Sequence, residues 1–384
     1  MIDQDMIVTA PVPPAVTGGG QSPFQKPINN ITATQPESNE DFEIEQRMLH
    51  YKRISSPDYL HTVSLTELYD TAYIPKVQVV DDLLSSGAYL FAGAPKVGKS
   101  FFMAQLSYHV SNGLPLWDYP VHKGTVLYLA LEDVHSRLQK RLSRMFGMDS
   151  TDDLHFATHA KSLGGGLDGQ LEKFVQEHIN TKLIIIDTLQ KIREVGGENC
   201  NYANDYDVVT QIKRFADRHN ICVLLVHHTR KQGAEDCFET ISGTNGLLGA
   251  ADGAFIMHKE RRTDNKAILD VVGRDQQDQR LHLIFDRERC IWQLTETETE
   301  LWVNLPDPLL EAVARVVTSA PPEWSGSASE LAAILIGFDV QPNVLTRRLN
   351  VNADRLWNEH NIRIDTARTH AGRTVKLTLD SSAA

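Results

Sequence analysis

Cysteine is scarce in this 384-residue chain. Four residues, Cys200, Cys222, Cys237 and Cys290, are scattered without any C-x-x-C spacing. That excludes a disulfide framework and a cysteine-built zinc site, and it predicts a reducing, cytoplasmic setting. Long apolar runs are missing too: none approaches the roughly 20 residues of a membrane span. The opening stretch, MIDQDMIVTAPVPP, has no basic segment followed by an apolar core, so neither a secretion signal nor a membrane partner is expected. Positive charge is also short. The formal net charge is −12, which excludes a protein that coats nucleic acid with its whole surface. The deficit is uneven: from Gln341 onward seven Arg and Lys stand against four Asp and Glu, leaving −15 for residues 1–340. Internal repeats are absent from the sequence.

What is present divides the chain into three. The first 36 residues hold six of the sixteen prolines and a GGG run, so 1–45 reads as a disordered leader. From about residue 80, short apolar runs alternate with helical patterns. Strands are predicted at 88–93, 125–131, 182–187, 222–228, 253–259 and 267–272, with helices at 99–112, 134–146, 168–179 and 204–219. Near-continuously apolar strands alternating with helices imply an α/β domain around a mainly parallel sheet. LHLIFD (281–286) and IWQLT (291–295) read as antiparallel strands added to it. This domain is expected to span 46–304, with its core at 75–295. After LPDP (305–308), helices are predicted at 308–319, 327–337 and 342–356, followed by a strand pair within 362–379. Three helices and a hairpin suggest a small winged helix-turn-helix domain over 305–384.

The chemistry begins at FAGAPKVGKS (91–100). Gly93, Ala94, Pro95, Lys96, Val97, Gly98, Lys99 and Ser100 fit the phosphate-binding pattern G-x-x-x-x-G-K-[ST], after an apolar strand and before a helix. Backbone N–H groups of such a loop, with the helix N-terminus behind them, hold phosphate oxygens, and the expected site runs through Phe101. Lys99 would neutralise the β- and γ-phosphates of ATP, and Ser100 would hold Mg²⁺. Asp187, closing the apolar run KLIIID, is the carboxylate for the Mg²⁺ side. Thr188 follows it, so the adjacent glutamate that activates water in many ATPase motors is not there. Glu132, ending the next apolar run LYLALED, is the replacement, with its neighbour Asp133 expected to cap the following helix. His227 and His228 end a further strand. His227 is the first choice to sense the γ-phosphate and His228 the second; the alternative is that they cap the strand.

Together, AGAPKVGKS, LYLALED, LIIIDTL, VHHTRK, SGTNGLLGAAD and GRD resemble the RepA-type branch of the RecA-like ATPases, relatives of the DnaB-type replicative helicases. The resemblance covers roughly 70–295. It implies a RecA-like P-loop fold, ATP and Mg²⁺ as cofactors, self-association into a ring such as a hexamer, and single-stranded DNA and other replication proteins as partners. It also implies roles for Glu132, Asp187 and His227 that agree with those above. An arginine finger reaching into the neighbouring subunit would be Arg274 in VVGRDQQDQ, with Lys259 and Arg280 as alternates and a surface ion pair to Asp275 or Asp278 as the plain alternative. Two loops, 190–205 and 229–246, would line a nucleic-acid channel, offering Lys191, Arg193, Arg230 and Lys231. They also carry acids, which leaves open that they are only solvated loops.

In the C-terminal segment Arg347, Arg348 and Arg355 would contact phosphates from a recognition helix, with Arg373 and Lys376 on the wing; docking to protein is the alternative. Two functions follow. One is an ATP-driven helicase or translocase on single-stranded DNA in plasmid, phage or mobile-element replication. The other is a nucleotide switch that controls a DNA-binding module without helicase activity.

Overall fold

The computed structural model describes residues 48, 56, 58–60, 62–193, 202–229, 245–259, 261, 263–298, 305–318, 322–369 and 372–380. The leader expected over 1–45 and most of the two loops, 194–201 and 230–244, lie outside them, as do Arg230 and Lys231. Residues 1–64 and 65–384 form separate units; the elements below belong to the second.

A short helix, α1 (Leu65–Asp70), and a small antiparallel pair, β1 (Gln78–Val80) and β2 (Leu84–Ser85), precede the phosphate-loop strand β3 (Gly87–Gly93) and its helix α2 (Lys99–Asn112). Then follow β4 (Thr125–Ala130), α3 (His135–Phe146), β5 (Leu154–Ala157), α4 (Leu167–Glu177), β6 (Thr181–Asp187), α5 (Leu189–Ile192), α6 (Tyr202–His219), β7 (Cys222–His228) and α7 (Asn245–Ala250). Four strands complete this part: β8 (Gly253–His258), β9 (Lys266–Gly273), β10 (Gln279–Asp286) and β11 (Ile291–Thr297). The nine strands from β3 to β11 form one sheet in the order β11-β10-β9-β8-β3-β7-β6-β4-β5. Strands β8, β3, β7, β6, β4 and β5 are parallel, and β9, β10 and β11 add antiparallel pairing at one edge. This is an α/β fold with a large, mostly parallel sheet.

All seven residues of β3 are buried, because both faces of the sheet are covered. Tyr89 and Phe91 enter the core that holds α2, while Ala88, Leu90 and Ala92 enter the one that holds α4 and α6. Period-two alternation sends neighbours to opposite faces. That is why this strand reads as an unbroken apolar run rather than an alternating one. Strand β5 was not expected: LHFA is four residues long and half-buried throughout, as suits a sheet edge.

The C-terminal part has its own core around Leu310, Val313, Leu331, Leu349, Leu356 and Val375. It contains α8 (Pro308–Thr318), β12 (Glu323–Ser327), α9 (Ala328–Ile334), α10 (Pro342–Val351), α11 (Ala353–His360), β13 (Ile362–Thr369) and β14 (Gly372–Leu379). Its three-stranded antiparallel sheet has the order β12-β14-β13. Two features differ from expectation. The helix predicted over 342–356 is two helices divided at Asn352, whose backbone leaves helical values at φ −104° and whose side chain turns back to the Arg348 carbonyl at 2.8 Å. EWSGS is a strand because β14 supplies its hydrogen-bond partners; nothing in its own periodicity says so.

Candidate nucleotide-binding site

The phosphate loop joins β3 to α2 at the C-terminal end of the parallel strands, where open α/β sheets place their ligands. Its turn requires left-handed backbone at Lys96 (φ 67°) and Gly98 (φ 117°). Gly98 has a second reason to be glycine. A Cβ there would lie 2.6 Å from the Trp292 ring, and the Trp292 indole N–H donates to the Gly98 carbonyl at 3.3 Å. Gln105, two turns into α2, holds the Trp292 backbone at both its carbonyl (2.9 Å) and its N–H (2.8 Å). Trp292, on β11, thus braces the loop from behind. No motif marks it; its only signal is a large aromatic in a strand.

Lys99 is 6% exposed. Its ammonium donates to the carbonyls of Gly93 (2.6 Å) and Ala94 (3.1 Å) and lies 3.2 Å from His228 Nδ1. Those carbonyls stand where phosphate oxygens would compete. Burial pulls the Lys99 pKa down to about 8, against the pull of Asp187 and Glu132. Beside it, the Ser100 hydroxyl donates to Asp187 Oδ2 at 2.9 Å, and the Tyr128 hydroxyl donates to the same oxygen at 3.0 Å. Burial raises the Asp187 carboxyl, with both hydroxyls pulling the other way. Burial also pushes the Tyr128 phenol well above its usual range, so it remains a neutral donor. A hydroxyl and a carboxylate are the hard oxygen donors Mg²⁺ takes. Among the described residues no group of three or more His, Cys, Asp or Glu could hold a metal. A Mg²⁺ on Ser100 and Asp187 would therefore complete its shell with phosphate oxygens and water.

Glu132 is exposed just past the end of β4, and its Oε1 accepts from the Thr188 hydroxyl at 3.3 Å. The glutamate on one strand end and the threonine after the aspartate on the next are thereby joined. Asp133 does not cap α3. The cap position belongs to Val134, and the Asp133 carboxylate pairs with Arg137 (3.2 Å) and Arg141 (2.8 Å). Two arginines one and two turns along offer more to a carboxylate than a single backbone N–H. The Arg141 guanidinium also lies 5.2 Å from the Phe101 ring, which packs against Phe285. Phe101 and Val97 turn their side chains into packing; Val97 is 6% exposed. Of the two histidines, the one touching Lys99 is His228; His227 is buried beside it on the opposite face of β7.

The arginine candidates separate by position. Arg280 is paired with Asp270 at 2.6 Å. Lys259 lies over the Trp292 ring at 5.2 Å, on the phosphate-loop side of its own chain. Arg274 is exposed at the other end of the sheet. It is not ion-paired to Asp275, which Lys76 holds at 2.6 Å; its guanidinium donates to the Gly249 carbonyl at 2.5 Å. Of the loop cations, Lys191 is exposed, and Arg193 donates to Gln190 at 3.3 Å.

The C-terminal arginines are engaged within the chain: Arg347 with Asp70 (3.0 Å), Arg348 with both oxygens of Asp307 (2.9 and 3.1 Å) and Arg355 with Glu359 (2.7 Å). Lys376 pairs with Glu323 at 2.9 Å. The Arg373 side chain lies outside the described residues. Among the described residues no helix is long and apolar enough to cross a membrane.

Residues 58–234 match the family AAA_25, described as an AAA domain. Over 174 residues the chain is 26% identical to the DNA repair protein RadA of Streptococcus pneumoniae, covering 45% of this chain and 36% of that protein. It is 25% identical to RadA of Streptococcus pyogenes serotype M6 over 45% of this chain and 33% of the relative. The chain thus spans about a third of the length of the curated relatives it matches. Among solved structures, a DnaB-like replicative helicase, solved with its interactions with primase, aligns with a TM-score of 0.45 at 14% identity, over 67% of this chain and 70% of that one. The RadB recombinase aligns at 0.41 and 14%, over 55% and 91%. Loop geometry, the carboxylates around it and the matched sequence point the same way: over residues 58–234 this chain is similar to the AAA domain family.

Proposed function

We propose that the protein is an ATP-hydrolysing, RepA-like replicative helicase or translocase on single-stranded DNA, serving a plasmid, phage or mobile element and working as a ring such as a hexamer. Lys99, Ser100, Asp187 and Glu132 act from one subunit, and Arg274 acts on the site of its neighbour. The observation that carries the reading is the separation of these groups. Gly93 is aligned with Met257 on β8, whereas Gly273, just before Arg274, is aligned with Gly253. That offset of four residues is roughly 13 Å along the strands, and β9 lies two strands from β3. Arg274 is therefore out of reach of its own phosphate loop, and an arginine that stabilises the transferring phosphoryl group has to come from a second copy. The DNA repair relatives support DNA as the track. The 190–205 and 229–246 loops would line its channel, and the C-terminal part would serve as a winged-helix-like docking module.

The test is ATP turnover with and without single-stranded DNA, together with strand separation and particle size in the presence of an ATP analogue. DNA-stimulated turnover in a ring supports the proposal; unstimulated turnover with no unwinding rejects it. One observation favours a second reading, a nucleotide switch. Lys99 closes on the carbonyls of Gly93 and Ala94, so nucleotide binding alone would draw its ammonium away from them. A Glu132→Gln protein that binds nucleotide without turnover, yet still performs its biological task, would establish the switch.

A further inference from the structure

We infer that Asp252 is a positioning residue for Arg274, a reading that rests on the proposed role of Arg274 as a finger acting on the neighbouring subunit. The anchors of Arg274 are the last turn of α7 and the short corner that joins it to β8. The Arg274 backbone N–H donates to the Asp252 carbonyl at 2.9 Å, and its guanidinium donates to the Gly249 carbonyl. The corner is in turn held by the Asp252 side chain, which is 5% exposed. Its Oδ2 accepts from the N–H of Ala88, at the start of the phosphate-loop strand, at 3.0 Å. Its Oδ1 pairs with Lys213 of α6. The Asp252 N–H donates to the Ala88 carbonyl at 2.8 Å, so the corner is hydrogen-bonded to β3 through backbone and side chain together.

Two further features fit this role. Gly87 has φ 136°, and a Cβ there would stand 2.7 Å from Asp252 Oδ2, so only glycine leaves the carboxylate its place. Lys76 lies 3.8 Å from Asp252 Oδ1 and 2.6 Å from Asp275 Oδ2, tying the residue after Arg274 to the same carboxylate. Arg274 is thus held on both sides while most of its guanidinium faces outward. Burial works to raise the Asp252 carboxyl, but Lys213, the Ala88 N–H and Lys76 hold it below the usual range. The group is ionised at neutral pH, and its charge keeps both lysines in place.

Subunit mixing tests this, with Lys99→Ala copies as donors of an intact finger on a dead site. Asp252→Asn is expected to lower kcat about tenfold with KM for ATP within twofold of the parent, since its own phosphate loop is untouched. Mixing it with Lys99→Ala copies is expected to restore turnover above the sum of the two alone, as mixing Arg274→Ala with Lys99→Ala should. Unchanged kcat in Asp252→Asn overturns the inference, and so does a loss that mixing fails to restore while Arg274→Ala is restored. If Arg274→Ala is itself fully active or not restored, the finger reading falls and the inference with it. Should Asp252→Asn not fold, Lys76→Ala at the half-exposed end of the network carries the same test, with an expected threefold loss restored by mixing; full activity there overturns the inference.

Discussion

The two ends of this chain treat charge in opposite ways. Around the phosphate loop, charged groups are buried and incompletely neutralised: Lys99 is 6% and Asp187 7% exposed. Lys99 leans on backbone carbonyls and Asp187 on two hydroxyls. In the C-terminal part Arg347, Arg348 and Arg355 are partly exposed and each meets a carboxylate. A desolvated charge without a full counter-charge is costly to keep, and both Lys99 and Asp187 are shifted toward their neutral forms. A ligand that carries phosphate and Mg²⁺ removes that cost by completing both. A surface ion pair has little to gain, because its net worth is already within about 1 kcal/mol. Electrostatics therefore mark the phosphate loop as the place where binding does chemical work, and mark the C-terminal arginines as groups a ligand would first have to free.

Four experiments bear on this contrast. Glu132→Gln removes the proposed base while leaving the loop intact; turnover should fall by about 10²–10⁴-fold with analogue affinity nearly unchanged. Steady-state hydrolysis beside equilibrium binding checks it, and an active variant would remove Glu132 from the chemistry. Trp292→Ala takes the brace from under Gly98 and leaves a cavity, with an expected loss of about 3–5 kcal/mol in denaturant unfolding. A loss under about 1 kcal/mol would mean that α2 holds the loop unaided.

The third is pH. Lys99 in the free protein has a pKa of about 8, lowered from the ordinary lysine value, so its charge is present below pH 8 and lost above. Bound phosphate favours the charged form and raises that pKa. Affinity for a non-hydrolysable ATP analogue should therefore weaken about tenfold from pH 7 to pH 9, with proton uptake on binding near pH 9. Calorimetry in two buffers reads both, and a flat profile would contradict the desolvated lysine. The smallest effect belongs to Arg348→Ala, which should cost no more than about 1 kcal/mol of stability. It should also leave the salt dependence of DNA binding unchanged. A slope reduced by about one would show that a phosphate displaces Asp307, and would erase the contrast between the two ends.

Several parts of the site could be read directly because buried parallel strands leave a local mark. AYLFAG, LYLAL and LIII are apolar runs, and the polar residue that ends each lies where the sheet meets solvent. Glu132 and Asp187 stood out for that reason, and Lys99 and Ser100 stood out from the glycine-lysine pattern of the loop that follows AYLFAG. Tyr128 was not: it sits within the apolar run of β4, and only the pairing of β4 with β6 brings its hydroxyl to Asp187. Asp133 misled because a helix N-terminus is a local signal, whereas Arg141 competes for it from two turns along. Strand β12 was invisible because EWSGS becomes a strand only when β14 lies beside it.

By itself, then, the sequence determined the phosphate loop, most of the strands and helices around it and the carboxylates proposed to serve it. These depend on hydrophobic periodicity and on residues near one another in the chain. Tertiary structure decided what depends on distant neighbours. Trp292 reaches Gly98 across 194 positions, Arg347 meets Asp70 across 277, and Asp252 reaches Ala88 across 164. A side chain's type says what it can bond, but only packing says which partner arrives first.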